Sequence, residues 1–318
     1  MQRLIGLLLL ISIPLATMAQ TDYPIDDDFR RACRITAPIG RGVLGIGNTF
    51  LKAMPKGMRS DSELEISKIA ITSTADGGRF GAWVITPKGE DASRPAILLL
   101  HGGGFVFKGA PYHYDLAKEY ARRTGSVVVF VDYRTAHNNL YGTPLNDCVD
   151  AWRWMTTEAQ RLGIDLARTA IVGDSAGGFL AIKTVLSSDL RPSKLMLIYP
   201  VVDCSMRTES MAKFGDTPVW NSELNRKMWE YYLQGAEEKS LLDIAPSEVQ
   251  DFPNTYIETA EYDCLRDEGN EFANLLRSAG VSTTNIATKG TMHGFDMAQH
   301  SAITQHQITE RCKWLGEW

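Results

Sequence analysis

The sequence has no excess of positive charge and no cluster typical of a metal site. Its 33 lysine and arginine residues are outnumbered by 38 aspartates and glutamates, which gives a formal net charge of −5. An acidic balance disfavours binding to phosphate backbones, so we expect no nucleic-acid partner. The cysteines form no C-x-x-C pair and have no neighbouring histidine, so we expect no metal. They are Cys33, Cys148, Cys204, Cys264 and Cys312.

Dependence on disulfides is not expected either. An odd number of cysteines leaves at least one thiol unpaired, and a chain of 318 residues buries enough apolar surface without cross-links. We therefore favour buried thiols, although the sequence leaves any pairing open. Repeats and low-complexity tracts are lacking as well, and 44% hydrophobic residues with 22% charged ones are typical of a globular protein.

A long apolar run occurs only at the N-terminus. Arg3 is followed by apolar residues from Leu4, a break at Pro14 and small residues up to Ala19. This layout predicts a signal peptide over residues 1–19, with export to the periplasm or the medium. The alternative is an uncleaved anchor, but the run is shorter than the ~20 residues that a spanning helix needs. We expect no stable membrane anchor, and one domain over residues 20–318.

Eight β-type segments alternate with amphipathic ones from Leu64 onward. This alternation predicts an α/β fold with a mostly parallel eight-stranded sheet and helices on both faces. The first two strands lack a helix between them, so we expect an antiparallel edge pair joined at residues 76–78. The predicted strands are Leu64–Thr74, Phe80–Thr86, Pro95–Leu100, Ser126–Asp132, Thr169–Val172, Lys194–Pro200, Thr255–Ala260 and Thr283–Thr288.

Two stretches fall outside the alternation, namely residues 20 to about 60 and 205 to about 251. Ligands of open α/β sheets bind beyond the carboxyl ends of the strands, so these stretches are candidates for a helical cap over the site. The second stretch is rich in aromatic residues. For each of them a place in the core of the cap is favoured over substrate contact: Trp220, Trp229, Tyr231 and Tyr232.

Ser175 is the candidate nucleophile. It lies at the centre of Gly173-Asp174-Ser175-Ala176-Gly177-Gly178, between a strand-like segment and a helix-like one. The G-x-S-x-G pattern in this context predicts a sharp turn that exposes the serine Oγ at the top of a sheet. The small neighbours of the serine permit such a turn, and the following helix dipole favours negative charge nearby.

A second glycine-rich segment supplies candidate donors for an oxyanion. His101-Gly102-Gly103-Gly104 follows an apolar strand, and consecutive glycines let backbone N–H groups approach developing charge. We predict an oxyanion hole made of the N–H groups of Gly103, Gly104 and Ala176. A purely conformational glycine turn is the alternative, which the pairing with the serine motif disfavours.

The general base is expected at His293. In this architecture the serine, the acid and the histidine follow one another along the chain. His293 comes directly after the last predicted strand, whereas His300 and His306 fall in or beside the final helix. His113 and His137 precede the serine and are predicted to be surface or supporting residues.

The acid is expected at Asp263, which follows the penultimate strand. Glu261 is its main rival at the same strand end. Asp267 and Glu268 fall where a helix begins, so we interpret them as first-turn acids that complement the helix dipole.

A dinucleotide-binding pattern is the remaining motif. Residues 40–45 match G-x-G-x-x-G, and Asp61 follows at about the expected distance. A charged segment broken by Pro38 precedes the pattern where a buried strand is required. We therefore do not expect a dinucleotide site.

Taken together, these motifs resemble those of the hormone-sensitive-lipase-like esterases. The resemblance runs from about Ala96 to the C-terminus and includes residues 101–104, 132–134, 173–178, 263–269 and 293–295. It implies an α/β-hydrolase fold, with Ser175, Asp263 and His293 at the triad positions. The chain departs from the family pattern over residues 135–142, where we expect a reshaped loop, and at Cys264, where proline is common.

The predicted function is a serine carboxylic-ester hydrolase that acts on short-chain acyl esters through an acyl-enzyme, without a metal or an organic cofactor. One alternative is an acetyl esterase for carbohydrate or plant-derived esters. Another is a non-catalytic binding protein, since some members of the family lack a triad residue. Both Ser175 and His293 are present here, which favours hydrolysis.

Overall fold

The fold is described from a computed structural model over residues 23–35, 38–54, 56–89 and 93–318. Its sheet has eight strands: β1 Leu64–Thr72, β2 Arg79–Pro87, β3 Arg94–Leu100, β4 Val127–Asp132, β5 Ile164–Asp174, β6 Lys194–Ile198, β7 Asn254–Tyr262 and β8 Thr283–Met292. The strand order is β1-β2-β4-β3-β5-β6-β7-β8. β2 is antiparallel to both of its neighbours, and all other neighbouring strands are parallel. The predicted α/β architecture and its antiparallel edge pair are confirmed.

Ten α-helices connect and cover the strands in the described part of the chain. They are α1 Arg41–Ala53, α2 Pro111–Thr124, α3 Thr143–Thr157, α4 Ala159–Leu162, α5 Ala176–Leu186, α6 Glu209–Lys213, α7 Ser222–Leu233, α8 Pro246–Val249, α9 Arg266–Ser278 and α10 Ala302–Gly316. Short 3-10 helices lie at Asp27–Phe29, Ala32–Arg34 and Phe295–Met297. Among the described residues, no helix combines the length and the apolarity needed to cross a membrane. The predicted signal peptide, residues 1–19, lies outside the described residues.

The central strands are buried on both faces. Along β3, Leu98 and Leu100 pack into a core on one side of the sheet, whereas Ile97 and Leu99 pack into a core on the other. This arrangement explains why β3 and β4 read as continuous apolar runs rather than as alternating patterns. Because helices cover both faces, ligands reach the sheet at its carboxyl edge.

The C-terminus is fastened to the opposite edge of the sheet. Lys194, the first residue of β6, donates hydrogen bonds from Nζ to the carbonyl oxygens of Trp314 and Glu317, both at 2.5 Å. Its ammonium group also lies 4.7 Å from the ring centroids of Trp314 and Trp318. The end of α10 is therefore held at the amino-terminal edge of the parallel strands.

Candidate active site

Ser175 lies at the sharp turn between β5 and α5. Its backbone has φ 51° and ψ −121°, a strained conformation for a residue with a side chain. The turn depends on close backbone approach, because a Cβ on Gly173 would lie 2.2 Å from the carbonyl oxygen of Gly177. A Cβ on Gly177 would likewise lie 2.1 Å from the carbonyl oxygen of Leu100. The glycines of the motif thus permit a turn that any larger residue would obstruct.

Ser175, His293 and Asp263 form one hydrogen-bonded chain. The Oγ of Ser175 is 2.9 Å from Nε2 of His293, and Nδ1 of His293 is 2.8 Å from Oδ2 of Asp263. All three side chains are buried, and Oδ1 of Asp263 accepts the N–H of Leu265 at 2.9 Å. When Nδ1 donates to the carboxylate, Nε2 is free to accept the serine proton. The three residues predicted from the sequence are therefore brought together.

The rival acids have other partners. Glu261 accepts the N–H of Gly290 at 2.8 Å through Oε2, and Asp267 accepts the N–H of Ser210 at 2.7 Å. Asp267 does lie in the first turn of α9. The other histidines after the serine, His300 and His306, are exposed on the surface.

Glu268 lies in the first turn of α9 but is more than an acid complementing the helix dipole. It is fully buried, and its Oε1 accepts the backbone N–H groups of Val202 at 2.6 Å and Asp203 at 3.3 Å. Burial raises the pKa of this carboxyl well above its ordinary value, against the opposing effect of the two N–H donors. Position in a helix gives no indication of such burial, which depends on the loop after β6.

The glycine-rich loop carries two of the predicted oxyanion donors, the N–H groups of Gly103 and Gly104. Gly103 has φ 111° and Gly104 has φ 58°, both in the left-handed region. Among the described residues, neither N–H donates a hydrogen bond. Ala176, whose N–H is the third predicted donor, is the first residue of α5. Both loop glycines line the same cavity as Ser175 and His293.

Asp174 joins this loop to the serine turn, a role that the sequence analysis did not predict. Its Oδ1 accepts the N–H of Gly102 at 3.0 Å, and its Oδ2 lies 3.1 Å from Nε2 of His113. Nδ1 of His113 lies 2.9 Å from the backbone nitrogen and 3.3 Å from the carbonyl oxygen of Ala110, so both ring nitrogens have polar partners. His113 is therefore a buried supporting residue. The feature of the sequence that pointed to this bridge is the acidic residue directly before Ser175.

The same bridge sets the charge state of Asp174. Burial alone would raise the pKa of this carboxyl, but attraction to His113 and the hydrogen bonds from His113 and Gly102 outweigh burial and lower the pKa. His101 behaves differently, because complete burial lowers its pKa to about 3 and keeps the ring neutral. Its ring stacks on Tyr133 at 4.2 Å between centroids. His101 therefore supports the loop as a packed, uncharged side chain.

A cavity of about 380 Å³ opens above Ser175 and is mostly apolar. Its walls come from α1 and the segment before it, from the glycine-rich loop and from the loop before α7. The residues around the catalytic group include Ile35, Val43, Phe50, Phe107, Tyr112, Tyr199, Val219, Trp220 and Met297. The two stretches outside the strand and helix alternation thus both contribute walls.

Three aromatic residues of the second stretch are buried, and one of them also lines the cavity. The ring of Trp220 lies 5.9 Å from that of His293, and Trp220 lines the cavity. Trp229 and Tyr232 instead pack against Phe105 and Phe179. All three are buried in the same core, as expected, but Trp220 also forms part of the cavity wall.

In the described residues that precede the G-x-G-x-x-G pattern, 23–35 and 38–39, there is no strand. Residues 40–45 form the start of α1, next to the short 3-10 helix Ala32–Arg34. A dinucleotide fingerprint requires a strand that leads into a glycine turn and a helix. The described residues therefore lack the strand that this fingerprint requires.

Comparison with known proteins identifies the family. The model of a family described as alpha/beta hydrolase fold matches residues 97–297, more than half of the chain. The chain belongs to the α/β-hydrolase fold family. This hydrolase is 32% identical over 242 residues to ethyl acetate hydrolase of Pseudomonas putida, covering 72% of this chain and 75% of the relative. It is 30% identical over 245 residues to esterase LipI of Mycobacterium tuberculosis, covering 73% and 75%.

A solved structure of a bacterial heroin esterase agrees with the hydrolase over nearly its whole length. The TM-score is 0.81 at 29% sequence identity, covering 92% of this chain and 97% of the other. The sequence matches span between 60% and 75% of the length of the curated relatives. The predicted relationship to hormone-sensitive-lipase-like esterases is confirmed, and so is the class of enzyme, a hydrolase of ester bonds.

Proposed function

We propose that this hydrolase is a serine carboxylesterase that cleaves short-chain acyl esters through an acyl-enzyme. The single observation that carries the proposal is the buried chain of hydrogen bonds from Ser175 through His293 to Asp263. A serine hydroxyl is a weak nucleophile until a neighbouring base accepts its proton. Here the base and its orienting carboxylate are both within hydrogen-bonding distance.

In the first half of the reaction, Oγ of Ser175 forms a bond to the ester carbonyl carbon while its proton passes to Nε2 of His293. The carbonyl oxygen becomes an oxyanion, for which the N–H groups of Gly103, Gly104 and Ala176 are the proposed donors. Asp263 stabilises the imidazolium through Nδ1. The intermediate then collapses, the carbon–oxygen bond to the alcohol breaks, and His293 returns the proton to the departing alkoxide.

In the second half, water replaces the alcohol. His293 accepts a proton from the water as its oxygen attacks the acyl carbon, and the bond to Oγ breaks as the proton returns to Ser175. The free acid leaves, and the enzyme regains its initial state. Every catalytic group in this proposed cycle is a residue of the chain, and water is the only co-substrate, so the proposal includes no cofactor.

The cap is proposed to restrict the acyl group. Residues of α1 and the loop before α7 form walls of the cavity, and the indole of Trp220 lies close to both the glycine-rich loop and His293. A wall this near the reacting carbon is proposed to leave room for a short acyl chain and to exclude a long one. The mostly apolar lining supports uncharged esters better than acetylated sugars, whose hydroxyls need polar partners.

The N-terminal sequence supports a proposed export of the enzyme. Arg3, the apolar run and the small residues before Gln20 have the layout of a signal peptide. Mass spectrometry of the protein recovered from the periplasm or the medium tests this proposal. An N-terminus at Gln20 is expected, and a protein retained in the cytoplasm with residues 1–19 intact would contradict it.

Substitution of the serine tests the mechanism. We expect Ser175→Ala to reduce hydrolysis of p-nitrophenyl acetate and butyrate at least about 10⁴-fold, because removing the nucleophile leaves only binding and oxyanion stabilisation. Ser278→Ala, on the exposed end of α9, is the matched control and should retain full activity. Unchanged turnover in Ser175→Ala would refute the role of Ser175.

A further inference from the structure

Helix α1 exposes an apolar surface. Its buried side is anchored by Leu44, whereas Val43 is 45% exposed, Ile46 66% and Phe50 65%. Residues at spacings of three and four share one side of a helix, so these three form a continuous stripe. Ile35, just before the helix, is a further 46% exposed. Contiguous exposed apolar residues of this kind mark an interaction surface more often than isolated ones do.

This apolar surface is continuous with the mouth of the catalytic cavity. Ile35, Val43 and Phe50 are open to solvent and also line the cavity that holds Ser175. Ile46 extends the surface away from the cavity without lining it. Whatever covers the stripe therefore also faces the entrance to the site.

The same segment is strongly basic in a protein of net charge −5. Residues 29–60 contain no aspartate or glutamate and seven cations, namely Arg30, Arg31, Arg34, Arg41, Lys52, Lys56 and Arg59. Arg30 pairs with Asp27 at 2.7 Å. Four of the others are exposed and form no ion pair with any described residue: Arg31, Arg34, Lys52 and Arg59. The stretch of chain that carries the apolar stripe thus bears four exposed cations without an ion-pair partner among the described residues.

We infer that this surface, defined by Ile35, Val43, Ile46 and Phe50 together with the exposed cations of the same segment, docks reversibly on an anionic lipid–water interface. Exposed apolar side chains beside unpaired cations are the combination that binds a helix in the plane of such an interface. Docking turns the cavity mouth toward the lipid. A second copy of the chain fits less well, because two surfaces with the same positive charge repel each other.

Vesicle binding tests the inference independently of catalysis. Purified full-length protein is cosedimented with vesicles of phosphatidylglycerol and phosphatidylcholine, and with vesicles of phosphatidylcholine alone. We expect binding to the anionic vesicles to exceed binding to the neutral ones and to weaken as salt is raised. Ile46→Gln should lower the partition coefficient about tenfold, since one inserted apolar side chain is lost. Arg34→Glu should also lower it, and more strongly at low salt.

Matched controls separate this surface from other causes of binding. Leu140→Gln removes an apolar residue that is 77% exposed elsewhere and should leave partitioning unchanged. Residues 1–19 have the same sequence in every variant, so their contribution cancels in the comparison. Hydrolysis of a soluble p-nitrophenyl ester by Ile46→Gln should equal that of wild type, which would show that the fold is intact.

Two results would overturn the inference. One is equal binding of wild type, Ile46→Gln and Arg34→Glu to anionic vesicles, which would assign any binding to another part of the chain. The other is absence of vesicle binding together with a concentration-dependent dimer that Ile46→Gln dissociates in light scattering. That outcome would make the stripe an interface between copies of the chain.

Discussion

At the scale of single residues, Trp220 lies in the cavity wall between the glycine-rich loop and His293. A Cβ added to Gly104 would lie 2.8 Å from Cη2 of its indole, and the ring is held by a 3.2 Å hydrogen bond from Nε1 to Asn225. The indole is thus fixed against the glycine-rich loop. Sequence reasoning placed Trp220 in the core of the cap, because the spacing of aromatic residues does not reveal which one faces a cavity.

Shortening this side chain is expected to lengthen the preferred acyl group. For Trp220→Ala, we expect kcat/KM on p-nitrophenyl octanoate, relative to acetate, to rise about tenfold, in line with the energy of a few methylene groups in an apolar pocket. Tyr231→Ala, in the same insertion but outside this cavity, is the control and should leave the ratio unchanged. An unaltered acyl-length profile in Trp220→Ala would show that another wall sets the limit.

Glu268 gives a second expectation at this scale, concerning stability and pH. Its pKa is raised in the folded protein by burial, so the native state retains a proton that the unfolded chain loses above about pH 4.5. The stabilisation of the folded state by this protonation difference is complete below that pH. It is lost as pH rises toward the pKa that Glu268 has in the folded protein. A neutral glutamine at this position does not titrate and avoids the loss.

The comparison of Glu268→Gln with wild type by urea unfolding measures this effect. We expect the difference in unfolding free energy, variant minus wild type, to rise by ~1 kcal/mol or more between pH 5 and pH 8. Glu65→Gln, at an exposed position on β1, should show no such rise. A constant difference for Glu268→Gln would mean that the carboxyl ionises in the folded protein as it does in the unfolded chain.

At the scale of elements, α10 is joined to the sheet by a buried ionic network. Arg311 is fully buried and donates to Glu258 on β7 at 2.9 and 2.7 Å, and to Asp296 at 2.8 Å. Asp296 also accepts a hydrogen bond from Tyr199 at 2.9 Å, and the ring of Tyr199 lies 4.9 Å from that of His293. The last helix is thereby linked to the surroundings of His293, the proposed general base.

Removal of the cation leaves two buried carboxylates without their partner. We expect Arg311→Met to lower the free energy of unfolding by about 3–5 kcal/mol in chemical denaturation. Arg123→Ala removes a half-exposed ion pair with Glu119 on α2 and should cost no more than about 1 kcal/mol. Similar losses for the two variants would argue against a special contribution from the buried network.

The elements themselves were largely predictable, because buried parallel strands and amphipathic helices differ in their periodicity. The least accurate strand was β5, predicted as Thr169–Val172 and found as Ile164–Asp174. Its first half, residues 164–168, is partly exposed and has charged residues at Asp165 and Arg168, so it lacks the continuous apolar run that marks the second half. The bridge from Asp174 to Gly102 and His113 was not predicted either, because it joins segments 61 to 72 residues apart. Motif order indicated the triad, whereas supporting contacts depend on the folded chain.

At the scale of the whole molecule, the chain is stabilised without cross-links among its described residues. All five cysteines are free, and Cys148, Cys264 and Cys312 are buried. Burial raises the pKa of the Cys204 and Cys312 thiols to about 11, so both remain protonated at neutral pH. A protonated thiol is a poor nucleophile and oxidises slowly. The sequence-based preference for buried thiols over disulfides agrees with this arrangement.

We expect the melting temperature of the protein to be the same with and without a reducing agent. Alkylation of the native protein followed by mass measurement should find no disulfide, and complete labelling should require a denaturant. Differential scanning calorimetry under both conditions provides the check. A melting temperature that falls on reduction would reveal a disulfide and contradict the arrangement of free thiols.

The attachment of the chain end by Lys194 has a practical consequence. Parallel strands have all their carboxyl ends at one edge, and Ser175 follows the carboxyl end of β5, whereas Lys194 begins β6 and holds Trp314 and Glu317 at the other edge. A purification tag or a fused protein at Trp318 therefore projects away from the substrate entrance. The enzyme is suited to immobilisation through a tag at Trp318, with the opening of the cavity that holds Ser175 turned toward the solution.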